Sequence, residues 1–182
     1  MRAAVILLAS VLAMGCASEE PREGEQSPAS SGLEREIRGF TMSETQGGTP
    51  LWELRAEVAY RLPSQSTVRL NDVRVDFFDG EGNLSSWLTA RSGIVDEGTE
   101  DLTAKGRVIM ISLEGDTLIT EELRYLREED RITGPDWVRL SKTDRVITGY
   151  GFESSPDLSD YRLERDVHVS FIDRERDPNR DP

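Results

Sequence analysis

The chain has one cysteine and one histidine. No disulfide can close within it, and no cluster of Cys and His ligands can form around a metal. Basic residues are scarce beside acids: 22 Lys and Arg stand against 35 Asp and Glu, a formal charge of -13. That balance argues against a nucleic-acid partner, because phosphate backbones are bound by clustered Lys and Arg. Long apolar runs are also missing. The only one, Ala3 to Ala13, is interrupted by Ser10 and covers about eleven residues, where a membrane span needs roughly twenty. After it, no stretch of a dozen residues carries a helical stripe. Even Glu121 to Asp130, rich in helix formers, keeps a period of two through Leu123 and Tyr125.

What is present begins with that short apolar run. Preceded by Arg2 and followed by Leu12-Ala13-Met14-Gly15-Cys16, it has the form of a secretory signal. Small residues before a lone cysteine resemble the bacterial lipoprotein signal, although Ala13 stands where that pattern prefers Leu. The resemblance implies cleavage after residue 15 and lipidation of Cys16, whose several acyl chains give a stable membrane anchor. Residues 16–38 are then a lipidated cysteine and a tether rich in Glu, Ser, Pro and Gly, too polar to offset the entropy of ordering. A folded domain is expected over 39–172, and 173–182 form a polar tail.

Within the domain a phrase recurs at a step of about thirty residues. Leu88-Thr89-Ala90 returns as Leu118-Ile119-Thr120 and as Val146-Ile147-Thr148-Gly149, with a looser early copy at Leu54-Arg55-Ala56. A second mark, Val108, Val138 and Val167, keeps the same step. Periodicity inside each copy is two, so the units are strands that must stack on their neighbours. Val73, Val75 and Phe77 alternate with polar residues, Leu88 and Ala90 lead towards Ile94, and Val138 and Leu140 share a face opposite Trp137 and Arg139. Val108 to Ile111 is apolar on both faces, which predicts a strand covered on two sides. Val167, Val169 and Phe171 alternate with Asp166, His168 and Ser170, which predicts a half-buried strand. Turn chemistry separates the strands at Asp79 to Asn83, Asp96 to Thr99 and Glu114 to Asp116. The domain is therefore all-β, with edges open to strand addition.

No two of the acids are singled out as a glycosidase pair, since most fall in turns. His168 lies on the polar face of its strand with no nucleophile near it in sequence. The chain does not read as an enzyme, and nothing calls for a cofactor.

The order of Leu88-Thr89-Ala90-Arg91-Ser92-Gly93, Gly106-Arg107-Val108, Gly115 to Leu123 and Ile147 to Glu153, then Asp157-Leu158, Tyr161 and Val167, resembles the LptC family of lipopolysaccharide export proteins. The resemblance covers roughly Phe40 to Ile172. It implies a twisted β-jellyroll of two antiparallel sheets, open at both ends. It also implies transfer of lipopolysaccharide from an inner-membrane ABC transporter to a periplasmic bridge protein of the same fold, with sheets continued from one protein to the next. Acyl chains need an apolar interior, for which alternation offers Val73, Val75, Phe77, Leu88, Val108, Met110, Val138, Leu140, Val167, Val169 and Phe171. By position in the family's fold, Trp52, Leu54 and Tyr60 would face the transporter, and Leu163 and Phe171 the bridge. Family members are often held by a transmembrane helix, whereas this leader carries a lipidation signal. The expected place is the periplasmic side of the inner membrane. Ala17, which is not Asp, leaves as an alternative an outer-membrane lipoprotein scaffold of the same fold that does not move lipid.

Overall fold

The computed structural model describes residues 35–61 and 65–172. The expected signal, Cys16, most of the tether and the polar tail lie outside them. Nine strands follow in order: β1 (Arg35–Gln46), β2 (Thr49–Arg61), β3 (Thr67–Phe78), β4 (Leu84–Asp96), β5 (Leu102–Ser112), β6 (Thr117–Leu126), β7 (Arg131–Ser141), β8 (Arg145–Ser154) and β9 (Tyr161–Phe171). Each pairs antiparallel with its sequence neighbours, making one open sheet in the order β1 to β9. The first strand starts at Arg35, so the last residues assigned to the tether are already in the sheet. The turns form as their chemistry predicts. Asp79 accepts hydrogen bonds from the amides of Glu81 and Asn83, and Asp96 from that of Gly98.

One sheet becomes two layers through a crease that crosses every strand. Gly39 in β1, Asp72 in β3, Gly106 and Arg107 in β5, Gly151 in β8 and Asp166 in β9 all have positive φ. The ladder slips at the same level between β4 and β5, β5 and β6, β6 and β7, β7 and β8, and β8 and β9. These positions lie beside one another across the sheet. A positive φ or an added residue bends a strand. In β2, β3, β4, β6 and β8 the faces exchange there, whereas β5 and β7 keep one parity of buried residues throughout. The buried positions record the exchange. In β3 they run Val68, Leu70, then Val73, Val75, Phe77; in β6 they run Leu118, Thr120, then Leu123, Tyr125.

Folding along the crease brings opposite strand ends together. Phe77, beside the β3–β4 turn, meets Tyr125, beside the β6–β7 turn, edge to face at 5.2 Å. The Ser86 hydroxyl donates to the carbonyl of Pro156, 70 residues away, at 2.6 Å. Arg127 pairs with Glu44, whose other oxygen accepts from the Trp52 indole at 3.0 Å. The half of each strand next to the β1–β2 turn and its equivalents thus forms one layer, and the other half forms the second. The jellyroll's two sheets are two halves of one ladder.

The thirty-residue phrase now has a physical meaning. Ala90, Thr120 and Gly149 stand just before the crease on β4, β6 and β8, while Val108, Val138 and Val167 stand just beyond it on β5, β7 and β9. Each repeat is one creased hairpin. The crease also corrects two expectations. Ile94 points outward because the faces exchange before it, and Val95 is buried in its stead. Ile109 and Ile111 are only half-buried on the outer face, so β5 is covered on one side, not two.

Close approach at the crease explains Gly149. A Cβ there would lie 2.8 Å from Leu163 and 2.9 Å from the Arg165 carbonyl. Gly149→Val must therefore push β9 away from β8. The expected cost is about 2 kcal/mol, read as a lower midpoint in urea unfolding together with faster amide exchange along β9. An unchanged midpoint would refute this account of the crease.

Candidate functional site

The face enclosed by the crease is the candidate site. Val73, Val75, Phe77, Leu88, Val108, Met110, Val138 and Leu140 all lie on it and belong to one buried cluster with Trp52, Leu54, Leu70, Leu118, Leu123 and Phe152. They are sealed: Val75, Val108, Met110, Val138 and Leu140 each retain 0% exposure. The middle of the domain is a packed core.

Val167, Val169 and Phe171 behave differently and correct the expectation of a half-buried strand. Register places Val169 opposite Ile147 and Phe171 opposite Arg145, so they continue the inner face onto the last strand. Nothing among the described residues covers them; Val169 is 49% exposed and Phe171 71%. Along β9 only Tyr161 and Leu163, in the other layer, pack against the core. At the far end of the sheet β1 repeats the pattern in reverse. Phe40 and Met42 pack on the core, whereas Ile37 is exposed. Each terminal strand therefore has one half inside and one half overhanging.

The free edges follow from the strand order. Trp52, Leu54 and Tyr60 lie on β2, which is paired on both sides by β1 and β3. Trp52 and Leu54 are core residues. They cannot form a docking edge, because their backbone groups are already used and their side chains face inward. The free edge at that end belongs to β1. At the other end it belongs to β9, which carries Leu163 and Phe171. His168 sits there too, exposed on the outer side opposite Thr148.

Three polar groups lie along the seam between the layers. Glu44, Arg127 and Glu100 form one ion-paired knot beside Trp52. Below it the Tyr125 hydroxyl donates to Asp130 at 3.1 Å. Burial, then the charge of Asp130, raises the Tyr125 pKa well above the ordinary tyrosine value. Lys142 pairs with the buried Asp116 and lies 5.1 Å over the Tyr161 ring. None of these was singled out from sequence, since charge pairing between strands distant in the chain leaves no local signal.

Other surfaces are less enclosed. An outer-face depression of about 400 Å³ is lined by Ile119, Thr120, Glu121, Asp136, Trp137 and Tyr150. Another, of about 330 Å³, lies at the seam between Phe77, Phe78, Ser85 and the Ser155 to Asp157 loop. Among the described residues no group of acids, His or Cys is placed to hold a metal. No helix among them is long and apolar enough to cross a membrane.

Two measurements separate core from overhang and check the seam. Leu140→Ala should cost about 3 kcal/mol, while Phe171→Ala should change stability by less than about 1 kcal/mol. Equal losses in urea unfolding would contradict the division. Because the raised pKa of Tyr125 means that the folded state holds its proton longer, stability from this group is complete below the ordinary tyrosine range. It should be lost as pH rises through that range, as the unfolded chain ionises first. Tyr125→Phe should flatten this alkaline decline; a decline of equal slope in both proteins would refute the assignment.

A family model described as lipopolysaccharide-assembly, LptC-related, matches residues 3–172. No curated protein matches the chain.

Proposed function

Because the chain belongs to the LptC family of lipopolysaccharide-assembly proteins, we propose that it receives lipopolysaccharide from an inner-membrane ABC transporter and hands it to a periplasmic bridge protein of the same fold. Membership makes it a non-enzymatic component of the lipopolysaccharide export system, facing the periplasm of the Gram-negative envelope.

One observation carries the reading: the inner apolar face does not stop where the core is sealed but runs out onto the uncovered half of β9 as Val167, Val169 and Phe171. Acyl chains laid on this strip gain the burial that the strip lacks, at roughly 1.5–3 kcal/mol for each large side chain fully covered. The core residues Val73, Val75, Phe77, Leu88, Val108, Met110, Val138 and Leu140 serve the same path when the layers part. The unpaired backbone of β9 then offers its hydrogen bonds to a strand of the bridge, and that of β1 to the transporter. A bridge strand beside β9 would extend both the sheet and the apolar face, so that lipid passes without entering water. The tether from a lipidated Cys16 keeps the domain near the membrane and raises its effective concentration at the transporter.

A photoreactive residue placed at Val169 should capture lipopolysaccharide in cells, and one at Phe171 the bridge protein. The same chains with Cys16→Ser should lose membrane retention and most of both adducts. If folded, membrane-retained protein yields neither adduct at either position, lipid transfer through this end is wrong.

A further inference from the structure

We propose that Arg145 is an anion-binding residue at the mouth of the apolar strip, holding the phosphate of an amphiphile whose chain lies on Val167, Val169 and Phe171. The inference rests on the groove reading above and adds to it the chemistry of the ligand's polar end.

Arg145 is the first residue of β8, after a tight turn closed by the Lys142 amide donating to the Arg145 carbonyl at 2.8 Å. It has the same parity as Ile147, a core residue, and so belongs to the inner face. In the ladder it stands directly opposite Phe171, as Ile147 stands opposite Val169. A cation and an apolar strip are thereby set side by side at an open end. From Phe171 to Val167 the strip extends about 13 Å along the strand.

Its Nε is buried and has no hydrogen-bond partner among the described residues. The nearest carboxylate, Asp144, lies 3.6 Å away and is itself largely exposed. A buried N–H without an acceptor costs roughly 1–3 kcal/mol. The cost is out of keeping with the rest of the molecule. Arg55 and Arg74 share Asp76, Arg127 holds Glu44, and Arg131 holds Glu153 and Asp160. Even Lys142, three residues before Arg145, has Asp116. In a chain with 35 acids and 22 basic residues, a half-buried guanidinium whose ion pair with exposed Asp144 is longer than a hydrogen bond keeps donors for an acceptor from outside. A phosphate monoester is well matched, since guanidinium N–H groups bind its oxygens in pairs.

The test uses the full chain carrying Cys16→Ser, titrated by calorimetry at low salt with dodecyl phosphate or dodecyl maltoside below their micelle concentrations. The unsubstituted Arg145 protein should bind the phosphate about tenfold more tightly than the neutral amphiphile. Arg145→Gln should erase that preference and leave maltoside binding unchanged, and Arg145→Lys should keep part of it. Inorganic phosphate alone should not compete, because the chain supplies most of the binding. Should Arg145→Gln fail to fold, folded Arg145→Lys decides: a reduced preference supports the role of Arg145, and an unchanged one refutes it. If Arg145→Gln binds both amphiphiles with the preference intact, the role of Arg145 is refuted while the groove stands. Binding of neither amphiphile by the Arg145 protein would refute the groove itself, and effective competition by free phosphate would make this a simple anion site.

Discussion

The fold depends on one constraint: every strand must bend at the same level. In β2, β3, β4, β6 and β8 that bend changes the parity of the residues it buries, while β5 and β7 keep theirs. A flat strand keeps its inner residues at every second position and can cover only one layer. Here positive φ at Asp72 and Gly151 moves that parity in β3 and β8, while positive φ at Gly106 and Arg107 bends β5 without moving it, and the ladder slips where such neighbours meet. Both halves of a strand can then point into the same interior. Asp, which tolerates the left-handed region better than most residues, does in β3 and β9 what glycine does elsewhere. Without the crease, nine antiparallel strands would be a flat sheet with an uncovered apolar face.

Among the described residues, creasing the sheet rather than closing it leaves its two outer strands each paired on one side only, and that is where a function can be exercised. Both edges are charged. Arg35, Glu36 and Arg38 mark the overhanging half of β1, and Glu164, Arg165 and Asp166 lie along β9. Charges on an edge discourage indiscriminate pairing. They do not prevent a partner whose own charges answer them. The acidic balance of the whole chain has the same effect, keeping exposed Val169 and Phe171 from drawing copies together at random.

Much of this was legible in the sequence. Period-two alternation marked the strands, turn residues marked their ends, and the thirty-residue step marked the hairpins, because all three are local consequences of backbone geometry. The residues of the sealed core from Val73 to Leu140 were legible for the same reason. Three things were not. The exchange of faces at the crease hid in plain alternation, so Ile94 read as inward when Val95 is. The edge was assigned one strand too late, at Trp52 and Leu54, because polar β1 resembles a tether and owes its place to pairing with β2. The exposure of Val167, Val169 and Phe171 depends on what faces them across the interior. Alternation tells which side a residue is on, never whether that side is covered.

That last distinction bears on how lipid could move. A path sealed along its whole length would hold acyl chains too tightly to release, and one open along its whole length would leave them in water. The domain divides the problem. Its centre is sealed, with Val75, Val108, Met110, Val138 and Leu140 fully buried, so opening it costs free energy. Its β9 end is uncovered and needs no opening. In the proposed complex an amphiphile resting there is held by partial burial of three side chains and by one guanidinium whose ion pair with exposed Asp144 is longer than a hydrogen bond. Both contacts are modest, and a partner strand laid beside β9 would compete for the first while leaving the second at the rim. Binding that is real but easily passed on follows from where the core ends.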